Sequence, residues 1–181
     1  MRIIGGKYSR RVIKPPANLP VRPTTDLAKE SLFNILQHKT PIEGRQVLDL
    51  FSGTGALSFE FASRGSTHII AVEQNYQCVR FIRNTANLFG MDQLRVVKMD
   101  VFRFLKIAHE TYDIIVADPP YDLPDIERIC RVVDDRNLLN PGGWMVVEHG
   151  PETILSDCPN FVEHRKYGHV NFSFFQRFGE G

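Results

Sequence analysis

The sequence predicts an α/β fold with a doubly wound, mostly parallel sheet. Two observations favour this class. Short apolar runs typical of buried strands alternate with segments in which apolar residues recur at helical spacing. Polar residues follow directly after four of these runs, and the carboxyl ends of parallel strands meet at one edge of a sheet, where ligands bind. The length of 181 residues suits one such domain.

Residues 1–40 are predicted to form a basic N-terminal arm and a helix, packed on a core of residues 41–181. No acidic residue precedes Asp26, although the whole chain carries a net charge of only +1. Apolar residues on either side of Gly5-Gly6 indicate a small hairpin. Basic side chains in a proline-stiffened segment suit a phosphate backbone, and the candidate residues are Arg2, Lys7, Arg10, Arg11, Lys14 and Arg22.

The first helix and the strands follow from capping residues and apolar runs. Thr24-Thr25-Asp26 offers N-cap residues for a helix that ends before Pro41. Each later apolar run is short, rich in branched residues and bounded by polar ones, as buried strands are. Strands are therefore predicted at residues 46–51, 68–73, 95–100, 112–117 and 144–148.

Glycine and proline punctuate the remaining elements. Helices are predicted after the first two strands, ending at Gly65 and Gly90, and around residues 125–135. Pro141-Gly142-Gly143 predicts a turn before the fifth strand. The chain then closes with an antiparallel hairpin, because strand-like residues 161–167 and 170–176 bracket Gly168-His169.

Composition excludes several classes of protein. No run approaches the roughly 18 apolar residues that a membrane-spanning helix needs, and the N-terminus has no apolar signal core. Cys78, Cys130 and Cys158 are far apart and form no Cys-x-x-Cys pair, which favours a reducing compartment over a disulfide scaffold or a zinc site. The histidines form no metal-binding motif. We therefore expect a cytoplasmic protein, without a metal and without membrane contact, that is a monomer.

A glycine-containing loop links the first strand to the second helix, over Asp49-Leu50-Phe51-Ser52-Gly53-Thr54-Gly55. Its glycines let a ligand approach the backbone closely. A dinucleotide-binding loop would need glycine or alanine where Ser58 stands, and Asp49 would repel a pyrophosphate. The candidate ligand-binding residues of the loop are Asp49, Phe51, Ser52, Gly53 and Gly55.

Acidic residues at two further strand ends define the ligand. Glu73 can accept hydrogen bonds from ribose hydroxyls. Asp100 can accept one from an adenine amino group, and Val101 and Phe102 can flank the ring. A cationic nucleoside without phosphates fits these residues, and S-adenosylmethionine is such a molecule.

Asp118-Pro119-Pro120-Tyr121, directly after the fourth strand, is the most specific signal in the chain. The exocyclic amine of a nucleobase is a poor nucleophile, because its lone pair is delocalised into the ring. The Asp118 carboxylate and the Pro119 carbonyl are acceptors for its hydrogens, and the two prolines make the loop rigid. Tyr121 offers a flat face for stacking of an unpaired or flipped base. These four residues are the candidate catalytic residues.

The core resembles the class I S-adenosylmethionine-dependent methyltransferases, and Asp-Pro-Pro-Tyr resembles their amino-methyltransferase motif. Three further segments, at residues 2–7, 22–26 and 30–34, resemble the bacterial 16S ribosomal RNA guanine-N2 methyltransferases of the small-subunit type. The resemblance implies a seven-stranded sheet whose last hairpin inserts one antiparallel strand. It also implies methylation of a guanine N2 amine in 16S ribosomal RNA, either free or within the small ribosomal subunit.

The resemblance extends to the residues before the first helix. It implies that Arg22, Thr24 and Thr25 meet RNA and close over the cofactor. Two positions depart from the family pattern, which usually has a glycine near Arg10 and a basic residue where Leu27 stands. Neither departure touches the Asp-Pro-Pro-Tyr motif.

Other functions share some of these features. A DNA adenine-N6 methyltransferase is the alternative, since Asp-Pro-Pro-Tyr suits it equally well, but 181 residues leave no room for a target-recognition segment. Glutamine methylation more often has asparagine at position 118, and a nicotinamide dehydrogenase is disfavoured by Ser58. A non-catalytic RNA-binding module could use exposed phenylalanines, but the strand spacing favours a core role for Phe172, Phe174 and Phe175.

Overall fold

The computed structural model describes residues 1–179, which form one seven-stranded sheet and five helices. None of these helices is long and apolar enough to cross a membrane. In chain order the elements are α1 (Asp26–Lys39), β1 (Gln46–Leu50), α2 (Ala56–Ser63), β2 (His68–Glu73), α3 (Tyr76–Phe89), β3 (Leu94–Lys98), α4 (Val101–Ile107), β4 (Tyr112–Ala117), α5 (Glu127–Asp135), β5 (Leu139–His149), β6 (Phe161–Tyr167) and β7 (Val170–Gln176).

The strand order is β3-β2-β1-β4-β5-β7-β6, which confirms the predicted doubly wound sheet. The first five strands pair in parallel, and β7 lies antiparallel between β5 and β6. Apolar residues cover both faces: Phe174 belongs to one buried cluster and its neighbour Phe175 to the other. The phenylalanines of β7 are therefore core residues, as expected for a strand buried on both sides.

Two elements differ from the sequence-based expectation. Pro141-Gly142-Gly143 is not a turn but lies inside β5, where the pairing with β4 shifts register between Tyr112 and Ile114. Proline and glycine are tolerated in a strand at such an irregularity, so tertiary pairing overrides the local turn preference.

The helix α4 was not predicted, although Asp100 caps it by accepting a hydrogen bond from the backbone N–H of Arg103 at 3.0 Å.

The predicted N-terminal hairpin is confirmed. Arg2 and Val12 form an antiparallel bridge, flanked by backbone hydrogen bonds from Ile3 N–H to Arg11 O at 2.9 Å and from Arg10 N–H to Ile3 O at 2.8 Å. Arg10 has a φ of 70°, the left-handed conformation that glycine adopts most easily. Arginine therefore adopts this conformation in a turn near which the resembled family usually has a glycine.

A buried carboxylate attaches the hairpin to the core. Glu60 of α2 accepts hydrogen bonds from the backbone N–H groups of Ile4 at 3.0 Å and Gly5 at 2.8 Å. The same carboxylate pairs with Lys29 of α1 at 3.3 Å and with Arg64 at 2.8 Å. Glu60 and Lys29 are fully buried, so both charges depend on these partners. The arm, α1 and α2 are thereby joined at one point.

Replacing Glu60 by alanine should destabilise the protein by about 3–5 kcal/mol, because it leaves the buried Lys29 ammonium without its counterion. Urea denaturation followed by circular dichroism measures the loss. Glu152→Ala, at an exposed glutamate, is the matched control and should change the unfolding free energy by less than about 0.5 kcal/mol. Equal midpoints for the two variants would contradict the assigned role of Glu60.

Candidate active site

A cleft of about 890 Å³ opens at the carboxyl edge of the sheet. Its walls come from the loops after β1, β2, β3 and β4 and from the segment that precedes α1. Five of the residues lining it in the described part of the chain are acidic, and Arg22 is the one basic residue among them. The lining consists of residues 20–25, 51–54, 72–75, 99–102 and 118–123, together with Ala28, Glu148 and Val170.

The glycine loop is held against the end of β2 by Glu73. One carboxylate oxygen of Glu73 accepts a hydrogen bond from the backbone N–H of Gly53 at 2.8 Å, and the other accepts one from Asn75 N–H at 2.8 Å. Phe51 and Gly53 have φ values of 61° and 54°, which turn the chain sharply after β1. Each carboxylate oxygen keeps a second lone pair for a ligand, so Glu73 is an oriented acceptor at the cleft.

Asp49 and Gly55 lie behind this loop and do not line the cleft. Asp49 is buried and accepts a hydrogen bond from the Ser58 hydroxyl at 2.5 Å. Burial raises the pKa of Asp49 to about 7, against the lowering effect of Ser58, and the charge of Glu73 raises it further. Gly55 is left-handed at the start of α2, where an added Cβ would lie 2.9 Å from Ile82. Both residues support the loop from within the core.

The other residues expected to bind the cofactor do line the cleft. Asp100 uses one carboxylate oxygen to cap α4, and Val101 and Phe102 begin that helix. Thr24 and Thr25 line the opposite wall, and the Thr25 hydroxyl caps α1 by accepting from Ala28 N–H at 3.2 Å. Phe51, Ser52 and Gly53 complete the set from the glycine loop.

Asp118, Pro119, Pro120 and Tyr121 lie together in the cleft, at the end of β4. The Tyr121 hydroxyl donates a hydrogen bond to Glu148 Oε1 at 2.9 Å. The guanidinium of Arg22 lies over the Tyr121 ring, 5.1 Å from its centroid. The motif is therefore linked both to β5 and to the segment before α1.

Glu148 was not among the residues singled out from the sequence. It follows an apolar run in β5, the same signal that identified Glu73, so the pattern could have found it. Ala117 pairs with Val147, which places Asp118 and Glu148 side by side on neighbouring strands. Burial, then the charge and hydrogen bond of Glu148, raise the pKa of Asp118 well above its usual range, while Arg22 lowers it. Burial also raises the pKa of Glu148.

The basic residues of the arm do not share one site. Arg22 lines the cleft, whereas Arg2 pairs with Asp26 at 3.6 Å. Lys7 and Arg11 pack their charged ends over the ring of Tyr8, and Arg10 and Lys14 are exposed. The hairpin runs along α2, from a contact between Met1 and Thr54 at the cleft to hydrogen bonds at Ser63. Its charges extend from the cleft along the flank of the molecule.

No group of three or more histidine, cysteine, aspartate or glutamate side chains within residues 1–179 is arranged to hold a metal ion. The cleft acids instead face neighbouring N–H and O–H donors, as the bonds of Glu73, Asp100 and Glu148 show.

The strand order, with one antiparallel strand inserted beside the last parallel strand, is that of the class I methyltransferases, whose cofactor is S-adenosylmethionine. An Escherichia coli structure described as "Putative methyltransferase yhhF" matches with a TM-score of 0.88 and 29% identity, covering 99% of each chain. A Thermus thermophilus 16S rRNA N2 G1207 methyltransferase, solved with AdoMet and guanosine, shares the fold alone, at a TM-score of 0.69 and 23% identity over 85% of this chain and 44% of that chain.

The chain belongs to the family described as conserved hypothetical protein 95, whose model matches residues 1–176. It is 32% identical over 185 residues to the ribosomal RNA small subunit methyltransferase D of Escherichia coli (strain K12), covering 100% of this chain and 92% of the relative. It is 31% identical over 186 residues to "Putative rRNA methyltransferase YlbH" of Bacillus subtilis (strain 168), covering 99% and 100%. The predicted family, fold class and cofactor are confirmed.

The buried carboxyl group of Asp49 should lower the unfolding free energy of the protein as the pH rises. Its pKa is about 7 in the folded protein against 3.8 as an ordinary carboxyl, so the folded state holds the proton more tightly and this stabilisation is lost between about pH 4 and 7. The unfolding free energy of Asp49→Asn relative to that of the parent should therefore be roughly 2–3 kcal/mol higher at pH 8 than at pH 5. Urea titrations of both proteins at the two pH values measure this difference. A difference that does not change with pH would contradict the burial argument.

Proposed function

We propose that this protein transfers a methyl group from S-adenosylmethionine to the exocyclic N2 amine of a guanine in the RNA of the small ribosomal subunit. The proposal rests on one observation: the Asp118–Tyr121 motif and the oriented carboxylate of Glu73 share a single cleft. The relatives named as rRNA methyltransferases, which align along almost the whole chain, support RNA as the substrate.

The cleft residues fit the cofactor by their chemistry. Among the charged residues that line the cleft, acidic side chains predominate, which suits a cationic nucleoside and disfavours a phosphorylated one. Glu73 would accept hydrogen bonds from the ribose hydroxyls, and Asp100 one from the adenine amino group, with Val101 and Phe102 beside the ring. Residues Phe51, Ser52 and Gly53 would form the floor, and Thr24 and Thr25 the facing wall. When bound, S-adenosylmethionine supplies an electrophilic methyl group on a positively charged sulfur.

In this proposal a carboxyl oxygen of Asp118 and the Pro119 carbonyl accept the two hydrogens of the target amine. The raised pKa of Asp118 does not remove this ability, because the C=O oxygen of a protonated carboxyl group still accepts hydrogen bonds. Acceptors in these positions favour a pyramidal nitrogen, whose lone pair is then available for attack. The acceleration comes from positioning and from fixed dipoles, since the prolines hold the loop without competing N–H donors. Tyr121 supplies a stacking surface worth roughly 1–3 kcal/mol, which offsets the cost of taking a base out of its stack.

The arm contributes to RNA binding in this proposal. The basic side chains of the hairpin begin beside the cleft and continue along α2, so they can follow a phosphate backbone that leads away from the target base. Arg22 lies over Tyr121 and would contact the target nucleotide itself. Together these charges compensate for a net charge of only +1 on the whole chain.

Transfer of labelled methyl groups to undermethylated small subunits and to their naked RNA tests the reaction directly. Digestion to nucleosides and mass spectrometry should yield N2-methylguanosine. Methylated adenine, or no labelled nucleoside from either substrate, would overturn the proposal.

Asp118→Ala should lower kcat by roughly 10²–10³-fold, the usual effect of removing one preorganised hydrogen-bond partner at a reacting group. The Kd for S-adenosylmethionine, measured by calorimetry, should stay within about twofold of the parent value, because Glu73 and Asp100 remain. Asp157→Ala, at an exposed aspartate outside the cleft, is the control and should keep full activity. Unchanged turnover in Asp118→Ala would exclude the assigned role.

Neutralising Arg10 and Lys14 together should weaken RNA binding and reduce the slope of log K against log salt by up to roughly two, about one for each lost phosphate contact. Both side chains are exposed on the arm. The control is Lys106→Gln, an exposed lysine on α4 outside the arm. A slope equal to that of the control would show that these two residues do not contact the backbone.

A further inference from the structure

Two carboxyl groups, not one, line the cleft at the Asp-Pro-Pro-Tyr motif, where the proposed function places the target base. Asp118 belongs to the Asp-Pro-Pro-Tyr motif, and Glu148 stands beside it at the end of the neighbouring strand. Residues paired across parallel strands direct their side chains to the same face of the sheet. Because Ala117 pairs with Val147, the next residues along, Asp118 and Glu148, project into the cleft together.

Glu148 has a fixed orientation. The Tyr121 hydroxyl donates to its Oε1 atom at 2.9 Å. Burial raises the pKa of Tyr121 to about 12, so this hydroxyl keeps its proton and acts as a donor. With Oε1 engaged by Tyr121, Oε2 is the oxygen that a ligand N–H would reach, and this N–H would compete with the hydrogen bond that Glu148 shares with Asp118. The structure thus presents a carboxylate oxygen at a defined place next to the catalytic motif.

The Watson–Crick edges of the purines differ at this place. In guanine the N2 amine is flanked by N1–H, a donor. In adenine the N6 amine is flanked by N1 without hydrogen, an acceptor. When the amine is held by Asp118 and Pro119, a carboxylate beside it attracts the N1–H of guanine and repels the lone pair of adenine. A mismatch of this kind leaves buried polar groups unpaired and discriminates strongly.

We propose that Glu148 selects guanine as the target by accepting its N1–H through Oε2 while Asp118 binds the neighbouring amine. This inference rests on the proposed function and adds the residue that determines its base specificity. Arg22, which lies over Tyr121, balances part of the charge of the two carboxylates.

Glu148→Gln separates this role from a structural one. Glutamine has nearly the same shape and can still accept the Tyr121 hydroxyl with its oxygen. Its amide N–H₂ then occupies the position of Oε2, so an acceptor is replaced by a donor. Guanosine should lose affinity, whereas 2-aminopurine riboside, which keeps the amine at C2 but has a bare N1, should gain it.

The experiment measures the Kd of both ribosides in the presence of S-adenosylhomocysteine, using calorimetry for guanosine and intrinsic fluorescence for 2-aminopurine riboside. The parent protein should prefer guanosine by roughly 10- to 100-fold, the range for one hydrogen bond to a charged group. In Glu148→Gln this preference should vanish or reverse. The Kd for S-adenosylhomocysteine should remain unchanged, which shows that the variant is folded and its cofactor site intact.

Tyr121→Phe is the matched control, because it removes the hydrogen bond to Glu148 but keeps the carboxylate and the stacking ring. It should lower the affinity for guanosine less than Glu148→Gln does and keep guanosine preferred over 2-aminopurine riboside, because the carboxylate remains an acceptor. A preference unchanged in Glu148→Gln, or an equal loss of both ribosides, would overturn the selective role. The nucleoside product of the parent protein tests the proposed function separately, so formation of N2-methylguanosine with an unaltered preference would refute the role of Glu148 alone.

Discussion

The buried carboxylate of Glu60 is the point on which the geometry of the cleft depends. It binds the backbone of the hairpin and the ammonium of Lys29 at once, so the arm and α1 cannot move independently of α2. The segment with Pro20 to Thr25 joins the hairpin to α1 and is therefore fixed at both ends. That segment forms one wall of the cleft. The buried ion pair of Glu60 and Lys29, which does not line the cleft, therefore helps to fix the position of this wall.

The cleft is lined mainly by acidic residues where it is charged, whereas the arm is basic. Four neighbouring strands, β2, β1, β4 and β5, each provide one carboxylate at or just beneath the same edge of the sheet: Glu73, Asp49, Asp118 and Glu148. Their oxygens attract N–H donors whether or not they are ionised, and those that are ionised attract cations and repel phosphates. The positive charges, apart from Arg22, lie outside the cleft. A nucleic acid would be held by its backbone on the flank, and only a base would enter among the acids.

Much of the fold could be predicted from local sequence, and the failures have identifiable causes. The alternation of strands and helices and the polar strand ends led to the sheet and to most of the cleft, including Glu73 and Asp118. Helix α4 is not predicted because an acid at a strand end indicates a ligand group, whereas in the structure Asp100 caps the helix. The start of β5 was missed because Pro141 and the glycines favour a turn until pairing with β4 overrides them. The apolar run before Glu148 could have identified it as a polar strand end, but its position beside Asp118 depends on strand register across some thirty residues, which no local pattern encodes.

The attachment of the hairpin also has a consequence for biosynthesis. Its partners lie many residues further along the chain: Ile4 and Gly5 bind Glu60, 56 and 55 residues away, and the Tyr8 hydroxyl donates to Phe89 O, 81 residues away. Contacts of such separation form slowly, because a long loop must close before they contribute. During translation, at roughly 5–20 residues per second, the arm is made several seconds before its binding surface is complete. The hairpin therefore reaches its final place only after α2 and α3 have been made.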